Sequence, residues 1–146
     1  MTPDPSKYIK FFGLRTHGIL PNGEPATEIV YVHSKMMIVD DKIALIGSAN
    51  INDRSMMGSR DSELAVVVED PKTEPSLMDG LEYKASAFAH SLRTTCWVHL
   101  FGFQTLEEVK DPLSPGMWDK IDSQTEVVLT DLAKHLDLQR RLRMLS

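Results

Sequence analysis

The chain has a single cysteine, Cys96, among 146 residues, so it forms no internal disulfide and suits a reducing compartment. It has no apolar run of membrane-spanning length and no apolar signal-peptide core, so a membrane substrate would have to be reached from the surface. It has no basic excess: the net charge of −5 weighs against nucleic acid as the main partner, and so against a nuclease. Its five histidines show no metal-ligand spacing. With 42% hydrophobic and 25% charged residues, what is left is the composition of a globular protein of at most one domain.

The chemistry-bearing stretch is Tyr31 to Glu63, YVHSKMMIVDDKIALIGSANINDRSMMGSRDSE. It places His33, Lys35 and Asp40 in the order His-x-Lys-x-x-x-x-Asp, followed by Gly47, Ser48, Asn50 and Glu63. The flanking Val, Ile, Met and Tyr residues, with no helix cap ahead of them, predict a strand over 30–40. On a strand His33 and Lys35 share a face roughly 6.5 Å apart, a separation that one phosphate group spans. Asp40 has the opposite parity and is better placed to fix the turn Asp40-Asp41-Lys42. A second strand over 42–48 leads to Ser48 and Asn50, whose hydroxyl and amide are donors for phosphate oxygens, while Gly47 admits close backbone approach. Glu63 opens a third strand, 63–69, and is the candidate carboxylate for fixing the His33 tautomer. The blander reading makes Ser48 and Asn50 turn residues, and pairs Arg54 and Arg60 with local acids such as Asp53 and Asp61.

Hydrolysis of a phosphodiester needs a nucleophile, a proton for the leaving alkoxide and positive charge around the phosphoryl oxygens. One histidine and one lysine supply two of these three. None of His17, His90, His99 or His135 has a lysine two residues later, so the motif occurs once. The chain therefore reads as a fragment of a longer protein or as a half that must pair.

With its trailer GSANINDRS-x-x-G-x-RDSE, the stretch resembles the second His-Lys-Asp motif of eukaryotic phospholipase D, and the likeness runs from about Glu28 to about Asp111. The resemblance implies an α/β fold, one lobe of the phospholipase D architecture, with a mixed β-sheet flanked by helices. It implies hydrolysis of phosphatidylcholine to phosphatidic acid and choline, or transfer of the phosphatidyl group to an alcohol, through a phosphohistidine and without a cofactor or metal. By the same resemblance His33 takes the acid role, and the nucleophile belongs to a second His-x-Lys lobe, missing from this chain or supplied by a second copy of it. The implied location is cytoplasmic and peripheral on membranes. A cardiolipin-synthase-like phosphatidyltransferase shares the skeleton but not the INDRS-x-x-G-x-RDSE continuation. A catalytically incomplete interaction module is the reading from a different class.

The remaining segments divide as a lead-in over 1–27, the motif-bearing lobe over 28–111 and a helical segment over 112–146. Tyr8 to Leu14 is predicted as a short strand, Thr16 to Thr27 as a loop and Asp70 to Gly80 as a connector. Leu81, Ala85, Phe88, Leu92 and Cys96 recur at helical spacing and predict an amphipathic helix covering the sheet. Ile121, Thr125, Val128, Leu132 and Leu136 mark a second helix, and Arg140, Arg141 and Arg143 could meet anionic lipid beyond it.

Overall fold

The computed structural model of the chain describes residues 4–5 and 8–124. They belong to two compact units, one ending at His33 and the other beginning at Ser34. The first unit contains an antiparallel hairpin, β1 (Arg15–Ile19) with β2 (Pro25–Ile29), in the register Arg15 opposite Ile29 and Ile19 opposite Pro25. No strand forms over the expected 8–14. The strands instead occupy part of what reads as a loop, because the Leu20–Glu24 turn closes them: Gly23 N–H bonds the Leu20 carbonyl and Leu20 N–H that of Glu24, both at 2.8 Å.

The second unit is built on a three-stranded sheet in the order β3 (Lys35–Val39), β4 (Ile43–Gly47), β5 (Ala65–Glu69), with every pairing antiparallel. Its strands are apolar at nearly every position. The row Met36, Ile46, Val66 and the row Ile38, Ala44, Val68 share one face, while Met37, Leu45 and Val67 share the other. Ala44 is fully buried. A short helix, α1 (Asp53–Met56), links β4 to β5, and its N-cap Asn52 side chain accepts from the Ser55 N–H.

The expected connector over 70–80 and the first part of the expected helix at Leu81 form a second hairpin, β6 (Thr73–Met78) with β7 (Leu81–Ser86). The helix itself, α2, runs Ala87–Phe101. The turn decides this: Asp79 and Gly80 take φ of 55° and 74°, the two left-handed positions that a two-residue hairpin loop demands. The Leu81-Ala85 spacing therefore belongs to a strand. Helices and sheets together make the α/β composition that the sequence implies.

After α2 the chain forms a 3-10 turn at Glu107–Val109 and a helical stretch over 117–124. Phe103, Val109, Met117 and Ile121 cluster out of solvent, with Trp97, Val98 and Phe101 packed against them. The remainder of the expected second helix and the three tail arginines lie outside the described residues.

Two polar anchors tie the pieces of the second unit together. Arg93 on α2 forms a buried bidentate ion pair with Asp41, Nε to Oδ1 at 2.6 Å and Nη2 to Oδ2 at 2.8 Å, and donates to the carbonyls of Val109 and Lys110. Asp111 accepts from the backbone N–H groups of Asp79, Gly80 and Leu113 at 2.7–3.0 Å, pinning the β6–β7 turn. Burial pushes the Asp111 carboxyl up, but the N–H donors of Gly80, Leu113 and Asp79, with the charge of Arg93, outweigh it and hold it below its ordinary value.

Replacing Arg93 with Ala leaves the Asp41 carboxylate buried and unpaired, so the expected loss is about 3–5 kcal/mol in urea unfolding. A loss under 1 kcal/mol would show that the pair contributes little. For Asp111 the lowered folded value means that its stabilisation is present above the unfolded carboxylate value, about 3.9, and disappears as pH falls through the folded one. Asp111→Asn should therefore flatten the acid limb of stability against pH, as followed by thermal melts.

Candidate active site

The site region lies where β3, β4 and β5 end together. Lys35 opens β3 opposite Gly47, and Gly47 stands opposite Ala65, so the three occupy one row on one face. Gly47 is required by close approach: a Cβ there would come within 2.8 Å of both the Ala65 Cβ and the Leu64 carbonyl oxygen. The row therefore carries the Lys35 side chain beside two nearly bare positions.

His33 lies before β3, not on it as the strand over 30–40 requires. The ladder starts with Lys35 opposite Gly47, the last residue of β4, so no paired strand faces the residues ahead of it. His33 closes the first unit, exposed, with its ring centroid 6.1 Å from that of Tyr31.

Beyond Gly47 the chain is stitched to β5. Ser48 N–H bonds the Leu64 carbonyl at 2.9 Å, and Leu64 N–H bonds the Ser48 hydroxyl at 3.0 Å. The hydroxyl donates in turn to the Glu63 carboxylate. The expected phosphate donor is thus engaged with the expected histidine partner. Hydrogen bonds from the Ser48 and Ser55 hydroxyls hold the Glu63 carboxyl below its ordinary value, and Lys35 adds a smaller pull in the same direction. Burial and the charge of Asp61 act the other way without prevailing.

Asn50 is placed by its backbone, whose N–H bonds the Ser55 hydroxyl at 3.1 Å and whose carbonyl accepts from Asn52 at 2.9 Å. Ser55 is thus a site residue that the sequence reading missed. The Asn52-x-x-Ser55 spacing of a helix cap was the signal for it. Arg54 forms a two-point ion pair with Asp61, Nε to Oδ2 at 3.0 Å and Nη2 to Oδ1 at 3.1 Å, in line with the local-pairing expectation.

Asp40 stands in the turn after β3. Both it and Asp41 have φ of 51°, and the Asp40 carbonyl accepts from the Tyr83 hydroxyl at 2.7 Å. This geometry suits the turn-fixing role. Among the described residues, no group of three or more His, Cys, Asp or Glu side chains could hold a metal ion.

A lysine, an ionised carboxylate and hydroxyl donors at the open end of a sheet are groups suited to an oxyanion such as a phosphodiester. If Ser48 is the main cause of the low Glu63 value, Ser48→Ala should raise the carboxyl's titration midpoint, read by carbon-detected NMR. An unchanged midpoint would mean that Lys35 or Ser55 governs it.

A family model described as phospholipase D matches residues 23–143. Phospholipase D1 of Rattus norvegicus is 52% identical over 116 residues, covering 78% of this chain and 11% of that protein. Phospholipase D2 of Bos taurus is 59% identical over 95 residues, 65% of this chain and 10% of that protein. Phospholipase D zeta 2 of Arabidopsis thaliana is 43% identical over 133 residues, 89% of this chain and 13% of that protein. The chain spans about a tenth of the length of these curated relatives. With its His-x-Lys stretch and the Ser48–Glu63 pair within the matched span, the chain belongs to the phospholipase D family.

Proposed function

We propose that this chain is the second-motif half of a phospholipase D that works at the cytoplasmic surface of a membrane. It cleaves phosphatidylcholine to phosphatidic acid and choline, or passes the phosphatidyl group to a primary alcohol, through a phosphohistidine. The observation that carries this reading is the Lys35 row beside the Ser48–Glu63 hydrogen bond.

Lys35 neutralises the phosphoryl oxygens, and Asn50 with Ser48 donates to them, Ser48 by turning its proton away from Glu63. His33 protonates the departing alkoxide, and Glu63 accepts from the other imidazole nitrogen. Asp40 acts through the turn. The phosphohistidine forms on the histidine of a second lobe, which the remainder of a longer protein supplies. That lobe also gives cover to the apolar sheet face, where Met37 and Val67 are 54% and 56% exposed. The lipid is met from outside the bilayer, and among the described residues no helix is long and apolar enough to cross one.

The test is phosphatidyl transfer from phosphatidylcholine vesicles to a primary alcohol. The chain is assayed alone and joined to a lobe carrying a first His-x-Lys motif. The joined protein should be active, and His33→Ala or Lys35→Ala should lower the rate by about 10²-fold or more while leaving it folded. Retention of a tenth of the rate in either variant would contradict the role of the side chain that it removes. Activity of the chain alone would show that a second copy supplies the missing histidine.

A further inference from the structure

Away from the His-x-Lys stretch, three side chains from β6 and α2 form a relay that the phosphodiester reaction does not use. Glu74 and Ser76 are two residues apart on β6 and so share a face, and His90 sits on the first turn of α2. His90 Nδ1 bonds the Glu74 carboxylate, and His90 Nε2 lies 3.1 Å from the Ser76 hydroxyl. In the neutral tautomer whose Nδ1–H donates to the carboxylate, Nε2 accepts from the Ser76 hydroxyl. The His90 side chain is 12% exposed and that of Glu74 40%. Ser76 also lines a cavity of about 560 Å³, whose wall includes Leu77, Tyr83, Lys84 and Lys110.

We propose that Ser76, His90 and Glu74 form a second catalytic site, an acyl-transfer centre for small carboxylic esters. A hydroxyl within reach of an imidazole that a third group orients is the arrangement of an activated nucleophile. The Ser76 oxygen bonds the ester carbonyl carbon as its proton passes to His90 Nε2. The carbon–alkoxide bond then breaks, and the alkoxide takes that proton and leaves as the alcohol. Water next gives a proton to Nε2 and its oxygen to the acyl carbon. The bond to Ser76 breaks, the serine oxygen recovers the proton, and a carboxylic acid departs. Lys110, whose Nζ pairs with Glu107 at 3.2 Å, lines the same cavity and brings positive charge for the oxyanion formed at each stage. Glu74 is a positioning residue. The Lys110 carbonyl, 3.4 Å from the Ser76 oxygen, is a second and weaker acceptor for the serine proton.

The experiment uses the full 146-residue chain with a fluorophosphonate probe and a p-nitrophenyl ester. One probe should attach per chain, at Ser76 by peptide mass spectrometry, and ester turnover should stop with it. Ser76→Ala should abolish both, and His90→Gln should slow both at least tenfold. Glu74→Gln should slow them about tenfold, with Glu74→Asp recovering part of the rate, whereas Ser91→Ala, on the exposed side of the same helix, should change neither. Wild-type protein without an adduct at Ser76, or equal labelling of His90→Gln, would overturn the proposal. If Ser76→Ala fails to fold, as judged by circular dichroism, the Glu74 and His90 variants decide. The readout is an adduct on Ser76, so failure of the phosphodiester reading leaves this outcome unaffected.

Discussion

The second unit depends on a guanidinium and a carboxylate that water does not reach. Asp41 and Arg93 are 52 residues apart, and both are almost fully buried. Desolvating two charges costs several kcal/mol per ion, so such a pair is tolerated only when the remaining hydrogen-bonding capacity is filled. In this unit most of it is filled: Arg93 makes two bonds to the carboxylate and two to the carbonyls of Val109 and Lys110, and lies 4.9 Å from the centre of the Trp97 ring. The Asp41 carbonyl in turn accepts from the Ser86 N–H ahead of α2. One residue pair thus joins the β3–β4 turn, the start of α2 and the segment that follows it.

That join matters to the site because strand register matters to it. Side chains alternate along β3, so a slip of one residue would carry Lys35 to the opposite face and place Met36 beside Gly47. The sheet itself resists such a slip weakly, since both of its faces are apolar. The turn resists it strongly. Asp40 and Asp41 adopt a left-handed backbone that their short polar side chains tolerate, and Tyr83 and Arg93 hold them there. Asp40, the last member of the motif, thereby sets at one end of β3 what Lys35 presents at the other.

Much of this was legible in the sequence, and the misreadings have a common cause. The strands expected at 42–48 and 63–69 agree with β4 and β5 to within two residues, because a continuous apolar run bounded by turn residues has few other readings. Leu81 and Ala85 misled because a spacing of four fits a helix and also fits one face of a strand. The Asp79-Gly80 pair, a strong hairpin signal, should have decided between them. The Ser48–Glu63 bond spans 15 residues and depends on where β4 and β5 close, so no local pattern announces it. The same holds for Arg93, which reads as an ordinary helical arginine until the turn at Asp41 is folded against it.

The charge state of Glu63 constrains what the site can do. Two hydroxyls keep the carboxyl below its ordinary value, so near neutral pH it is ionised and can only accept. An anionic group beside Lys35 repels a phosphodiester and cancels part of the lysine's attraction. In the proposed reaction that cost is offset where it counts. A fixed negative charge at the far nitrogen of a histidine favours the imidazolium form, the form that gives a proton to a departing alkoxide. In the proposed reaction Ser48 then has a double part, bonding Glu63 while no substrate is present and turning to the phosphate when one arrives. The carboxylate loses one donor at the moment when a charged imidazole can replace it.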